Sequence, residues 1–288
     1  MSIRWLVSFV SILCLVDTGF VLADSEAVRF PREETEFDKR QEYPLRLLRL
    51  AFKEAESDYK LVPSNKLMQQ DRALKQLQYG IDVDVVWSMT SRERESNLYP
   101  IRIPIYKGLI GWRIFLAHAQ DLPRIIQVQE LSELRKLHFI QGHDWPDIEI
   151  LRANGFSVHG APDYISNFSM LEHRRVDLFP RSILEIWSEF ESHKNRGIVI
   201  EPTKLFIYPA AFYYFVHPSN KLLANTIDKG LRMALADGSF DTLFDEYHLD
   251  VINQLEVKNR QIFRLNNPLL PAETPLSNKV MWFSLPKK

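Results

Sequence analysis

The sequence predicts an α/β protein of two lobes, each a mainly parallel sheet flanked by helices, with the chain crossing twice between them. Three observations carry that expectation. Apolar runs of strand length alternate with segments whose apolar residues recur at helical spacing, which is the pattern of strand-helix-strand units. The run from Val83 to His118 reads as a buried strand, a polar turn into a short charged helix, a proline-bounded extended piece, and a strand long enough to leave one lobe for another. After His118 the alternation restarts and continues for another lobe's worth of chain. With 288 residues, 45% of them hydrophobic, there is apolar material for both lobes.

Val28 to Pro31 reads as the first strand, and the residues from Tyr43 to Ala55 as a helix burying Leu45, Leu48 and Phe52. Tyr59 to Val62 follows as a strand. Ser64 or Asn65 is suited to cap a second helix that runs to about Tyr79 and stops at Gly80. Val83 to Trp87 is the next strand, and Gly111 to His118 the first crossing. In the second lobe Leu131 to Leu137 marks a helix and His138 to Ile140 a strand. Gln141-Gly-His-Asp144 is a turn, with Asp144 suited to cap a helix that begins at Trp145-Pro146. Phe156 to Val158, Asn167 to His173, Val176 to Phe179 and Ile183 to Phe190 continue as strand, helix, strand and helix. Leu205 to Tyr208 reads as the return crossing, followed by the strand Ala211 to Val216, a helix stopped at Asp237-Gly238, and another opened by Ser239. A proline-interrupted tail that ends in Trp282-Phe283 is expected to pack on a lobe.

The expected division is a leader at 1–23, a discontinuous first lobe at 24–115 and 207–288, and a second lobe at 116–206. Arg4, the apolar run Trp5 to Val16 and Val21-Leu-Ala23 compose a secretory signal peptide cut after Ala23, and the apolar core is too short to span a bilayer. The single cysteine, Cys14, falls within that leader, so the exported chain is expected to lack disulfides and thiol chemistry. A net charge of -1 argues against a nucleic-acid partner. No membrane span is expected after cleavage, and the mature protein is expected to be a monomer.

Three stretches carry a family resemblance. These are Asp84-Val-Val-Trp-Ser-Met-Thr-Ser-Arg-Glu-Arg94, Met170-Leu-Glu-His-Arg-Arg-Val-Asp-Leu-Phe179, and Leu231 to Tyr247 with Asp237-Gly-Ser-Phe240. In order and spacing the chain resembles family 3 of the bacterial extracellular solute-binding proteins, the polar amino-acid binders, from Val28 to about His248. The resemblance implies the type II periplasmic-binding-protein fold, a small-molecule solute captured between the lobes by hinge motion, and a membrane transporter of the ABC type or a receptor as partner. It implies no cofactor, no metal and no catalysis.

The resemblance also suggests a site. Ser88, Thr90 and Arg94 would line the first lobe's side of the cleft, with Arg94 on a ligand carboxylate, for which a planar guanidinium has matching paired donors. The alternative for Arg92 and Arg94, interleaved with Glu93 and Glu95, is a solvated helix face. Trp87 would supply a flat wall, with Phe30 and Tyr43 as weaker candidates for the same task. On the second lobe Gln141 and Gly142 would approach the ligand, with Trp145 beside them. Where amino-acid binders of the family place an aspartate for the ligand's ammonium, this chain has Phe179-Pro-Arg-Ser182. Arg181 and Ser182 cannot neutralise an ammonium, and two arginines facing one cleft favour an anionic or strongly hydrogen-bonding solute.

Other readings stand beside this one: a ligand sensor for a membrane receptor, a degenerate domain used for protein contacts, and a dehydratase-like enzyme. An acid-base pair for the enzyme would be Glu185 with His143. His143, Asp144, Glu149 and His159 match no metal-site spacing.

Overall fold

A computed structural model describes residues 26–32 and 41–284. The expected signal peptide, with Cys14, lies outside the described residues. The elements in chain order are β1 (Ala27–Arg32), α1 (Glu42–Glu54), β2 (Lys60–Leu67), α2 (Gln70–Gln78), β3 (Val85–Met89), α3 (Arg92–Asn97), β4 (Tyr99–Ile101) and β5 (Trp112–His118). Then come α4 (Leu122–Ile126), α5 (Leu131–Leu134), β6 (His138–Gly142), α6 (Pro146–Ala153), β7 (Ser157–Ala161), α7 (Tyr164–Glu172), β8 (Phe179–Ser182) and α8 (Ile186–His193). The chain closes with β9 (Ile198–Ile200), β10 (Lys204–Ile207), β11 (Phe212–Val216), α9 (Lys221–Asp237), α10 (Ser239–Gln254) and β12 (Gln261–Arg264).

The fold is two-lobed α/β, with several sheets flanked by helices. In the first lobe β11 lies between β3 and β4, antiparallel to both, and β1 pairs in parallel with β2. Arg29 joins these layers: its guanidinium and main-chain N–H all donate to the Asp84 carboxylate at 2.8 Å. Helix α1 buries Tyr43, Leu47, Leu48, Ala51 and Phe52 against α9, as its spacing requires. In the second lobe β5 is central, antiparallel to β8, β9 and β10, and β6 pairs in parallel with β7. Parallel pairing is confined to β1–β2, β6–β7 and β10–β12, and every pair made by β5 or β11 is antiparallel.

The chain makes two passages between the sheet of β3, β11 and β4 and the sheet around β5, out between β4 and β5 and back between β10 and β11. They touch where Tyr208 N donates to Gly111 O at 3.1 Å. A Cβ at Gly111 would lie 2.1 Å from Tyr208 O, so only glycine allows this approach.

Several boundaries differ from expectation for physical reasons. Ser64 and Asn65 do not cap a helix. They extend β2, which keeps pairing with β1 as far as the Arg32–Leu67 register pair, and Ser64 Oγ accepts from Arg32 N at 3.2 Å and donates to Lys66 O at 2.8 Å. Helix α2 begins only after Gln69. Asp144 does not cap α6, whose N-cap is Trp145 with no side-chain capping bond, although Pro146 takes the early helical position. Helix α7 starts earlier than expected because Asp163 caps it by accepting from Ser166 N at 2.8 Å. Gln261–Arg264, expected in an irregular tail, pairs in parallel with β10.

Candidate functional site

A cleft of about 550 Å³ separates α2 and α3 on one side from the start and outer face of α6 on the other. Charged side chains of both signs line it in equal number: Asp71, Glu93, Asp144 and Glu149 against Lys75, Arg92, Arg94 and Arg152. Leu269, from the tail, forms part of its wall.

Arg94 is the expected residue with the clearest role in this cleft. Ser91 caps α3 by accepting from Arg94 N at 3.1 Å, which fixes the first turn and aims the side chain. Arg94 Nη1 donates to Ser88 Oγ at 2.8 Å and to Met89 O at 2.7 Å, and Ser88 in turn donates to Gln70 Oε1 at 3.0 Å. Among the described residues no carboxylate forms an ion pair with Arg94, although it lines the cleft. Burial lowers its pKa from the ordinary arginine range, and Asp71, Asp144, Glu93 and Asp147 oppose that at longer range. A half-buried guanidinium held from behind, with donors to spare, can pair with a carboxylate.

Other first-lobe candidates lie behind this surface. Ser88 is buried and holds Arg94 in place. Thr90 is also buried, and its hydroxyl donates to Glu95 Oε1 at 2.6 Å while Arg102 engages the other oxygen of Glu95 at 2.5 Å. Trp87 is half-buried between Phe30 and Tyr214, with ring centroids 6.2 Å away in each case. Phe30 is buried with it. Tyr43 is buried under α10, where its hydroxyl donates to Ile105 O at 2.7 Å and its ring meets His248 at 4.4 Å. None of these five lines the cleft.

Across the cleft, Trp145 is the residue that reaches the surface. Gly142 makes room for it, since a Cβ there would lie 2.6 Å from the indole. Gln141 is buried behind and donates from Nε2 to Pro180 O at 2.8 Å, with no partner for Oε1 among the described residues. Arg181 is 2% exposed and already neutralised. Its Nε and Nη2 donate to the two oxygens of Glu189 at 2.7 and 2.6 Å, and Glu185 lies 3.1 Å away. Trp145 stacks over it with Cζ 4.6 Å from the ring centroid. Burial pushes the Arg181 pKa down, but Glu185 and Glu189 outweigh this and hold it above the ordinary range. Of the two expected arginines, only Arg94 faces the cleft. Ser182 is buried too, its hydroxyl 3.4 Å from Leu109 O.

The sequence reading missed the rest of this buried network. Arg113 of β5 pairs with Asp147 of α6 at 2.9 Å, the Tyr208 hydroxyl donates to the same Asp147 oxygen, and Glu185 lies 3.6 Å from Arg113. The available signal was an arginine in the middle of the apolar run Trp112-Arg-Ile-Phe-Leu116. Glu185 is thus engaged by two arginines and does not line the cleft, whereas His143 does, with Nδ1 3.1 Å from Ala161 O. No group of three or more His, Cys, Asp or Glu among the described residues is placed to hold a metal ion, and no helix among them is long and apolar enough to cross a membrane.

No protein-family model and no curated protein matches the chain. Solved structures do. An ancestral arginine-binding protein bound to arginine aligns with a TM-score of 0.57 at 16% identity, covering 78% of this chain and 99% of that one. A histidine kinase sensor domain with similarity to periplasmic binding proteins aligns with a TM-score of 0.56 at 15% identity, covering 78% and 96%. The substrate-binding protein of an amino acid ABC transporter aligns with a TM-score of 0.55 at 13% identity, covering 78% and 99%. At such identities the likeness concerns the fold. The chain shares the two-lobed α/β fold of these neighbours.

Proposed function

We propose that the chain is an exported, periplasmic solute-binding protein that holds a small polar solute between α3 and α6, with Arg94 taking a carboxylate of that solute. The observation that carries this reading is the Arg94 guanidinium, anchored by Ser88 and the Met89 carbonyl yet free of any carboxylate among the described residues. The solute-binding neighbours support it at the level of fold. A net-anionic solute keeps Arg94 as its support but not Arg181, whose charge is met by Glu185 and Glu189. An ammonium group on the same solute would be met by Asp71 and Asp144, so a carboxylate-bearing solute is the class we infer. Cleavage after Ala23, a discontinuous first lobe around β3, β11 and β4, a second lobe around β5 that also takes in β12, and a monomeric state complete the reading.

A thermal-shift screen of the mature protein against amino acids, organic acids, sugars and peptides tests it. A ligand at 100 times its Kd stabilises the fold by about 2.7 kcal/mol. Arg94→Ala is expected to weaken each carboxylate hit by roughly 10- to 100-fold, since a hydrogen bond to a charged group contributes about 1.5–3 kcal/mol. Hits that bind Arg94→Ala unchanged would remove Arg94 from the site. Delivery to a transporter and presentation to a receptor, as a sensor-domain neighbour suggests, are separated by which membrane protein co-purifies with the liganded form.

A further inference from the structure

The tail that follows β12 runs beside the return crossing and engages both walls of the cleft. Leu265 N donates to Ile207 O at 2.9 Å, and Asn267 Nδ2 donates to Pro209 O at 2.9 Å. On the second lobe Asn154, at the end of α6, makes two reciprocal bonds with Asn266: Nδ2 to the Asn266 carbonyl at 2.8 Å and Oδ1 from the Asn266 N–H at 3.0 Å. On the first lobe Arg92 of α3 donates from its main chain to Leu269 O at 3.1 Å. Its guanidinium donates to Pro268 O at 2.5 Å and to Leu270 O at 3.4 Å. The adjacent leucines pack on different apolar clusters. Leu269 packs on the cluster that includes Leu151, Phe156 and Met89, and Leu270 on the separate cluster that includes Leu74, Leu77 and Leu98.

We infer that residues 266–270 are a third interlobe crossing, a strap that sets how far the α3 and α6 walls can separate. The segment is short and stiff. Prolines at 268 and 271 fix backbone torsions, and a fully extended chain covers only about 14 Å between the Cα atoms of Asn266 and Leu270. Separation of the walls beyond that reach requires the Asn154 pair or the Arg92 bonds to break. A solute that draws the lobes together leaves them intact, so the strap favours the closed side of the hinge motion before any solute arrives. This goes beyond the solute reading and does not depend on which molecule binds.

The test measures interlobe distance without solute. In the mature chain, which holds no other cysteine once Cys14 leaves with the leader, Arg72→Cys on α2 and Glu133→Cys beyond the cleft take spin labels. The parent is expected to give one narrow distance distribution. Arg92→Ala combined with Asn154→Ala is expected to broaden it and shift it to longer distances. A Gly-Ser-Gly insertion between Pro268 and Leu269 lengthens the strap with every anchoring side chain in place, and is expected to do the same. An unchanged narrow distribution in the folded insertion variant overturns the strap, and would do so even if Arg94 binds solute as proposed. A solute-free distribution that widens while Arg94→Ala binds every hit normally would sink the solute site and keep the strap.

Discussion

Arg94 and Arg181 stand on opposite sides of one cleft and have opposite fates. Arg94 is held by neutral groups, the Ser88 hydroxyl and the Met89 carbonyl, which orient a guanidinium without cancelling its charge. Arg181 is held by carboxylates and covered by Trp145, so its charge is satisfied within the protein. The contrast teaches that a partly buried arginine keeps its charge available only if its anchors leave that charge unmatched. It also explains how Arg181 stands beside the cleft without adding a loose second cation to it.

The largest expected effect breaks the sealed side. Glu189→Ala leaves buried Arg181 with Glu185 alone and should cost about 3–5 kcal/mol of stability in urea unfolding. The double change Arg181→Met with Glu189→Leu should recover most of that, because it removes both charges together. A double variant as unstable as Glu189→Ala would mean that the loss is one of packing rather than of charge.

Acid compares the two sides through their buried histidines. Burial lowers the pKa of His248, under Tyr43 in the first lobe, from 6.5 to about 4, and that of His193, stacked on Phe168 near Glu189, in the same direction. Each binds a proton in the unfolded chain that the folded protein refuses. The stability is therefore full above about pH 6.5 and falls as the pH drops toward the folded pKa. For His248 the loss by about pH 4 is on the order of 3 kcal/mol, one pKa unit being about 1.4 kcal/mol. His248→Leu should flatten that part of the urea-unfolding pH profile, and an unflattened profile would assign the slope to other groups.

Smaller changes sharpen the comparison. Gly142→Ala pushes the Trp145 ring off Arg181 and should cost about 1–3 kcal/mol, with a change in tryptophan fluorescence as the local readout. Ser91→Ala removes the α3 cap beneath Arg94 and should cost about 1 kcal/mol in thermal unfolding. It is expected to weaken any carboxylate hit less than Arg94→Ala does. An equal loss would move the site's dominant contact from the guanidinium to the helix start.

The sequence by itself determined the α/β class, the two lobes, the strand-turn-helix passage around Arg94 and the breaks at Gly80 and Gly238. These depend on periodicity and on residues with strong local backbone preferences, and such signals act over a few neighbours. Only the tertiary structure decided that Ser64 continues a strand, because the N–H that its hydroxyl accepts from lies 32 residues away at Arg32. The same holds for Thr90, whose hydroxyl Glu95 takes, and for Trp87, which Phe30 and Tyr214 cover. Whether Arg94 or Arg181 remains available was not legible in either local sequence. A charge becomes a site or a brace according to what packs against it, and those partners arrive from elsewhere in the chain.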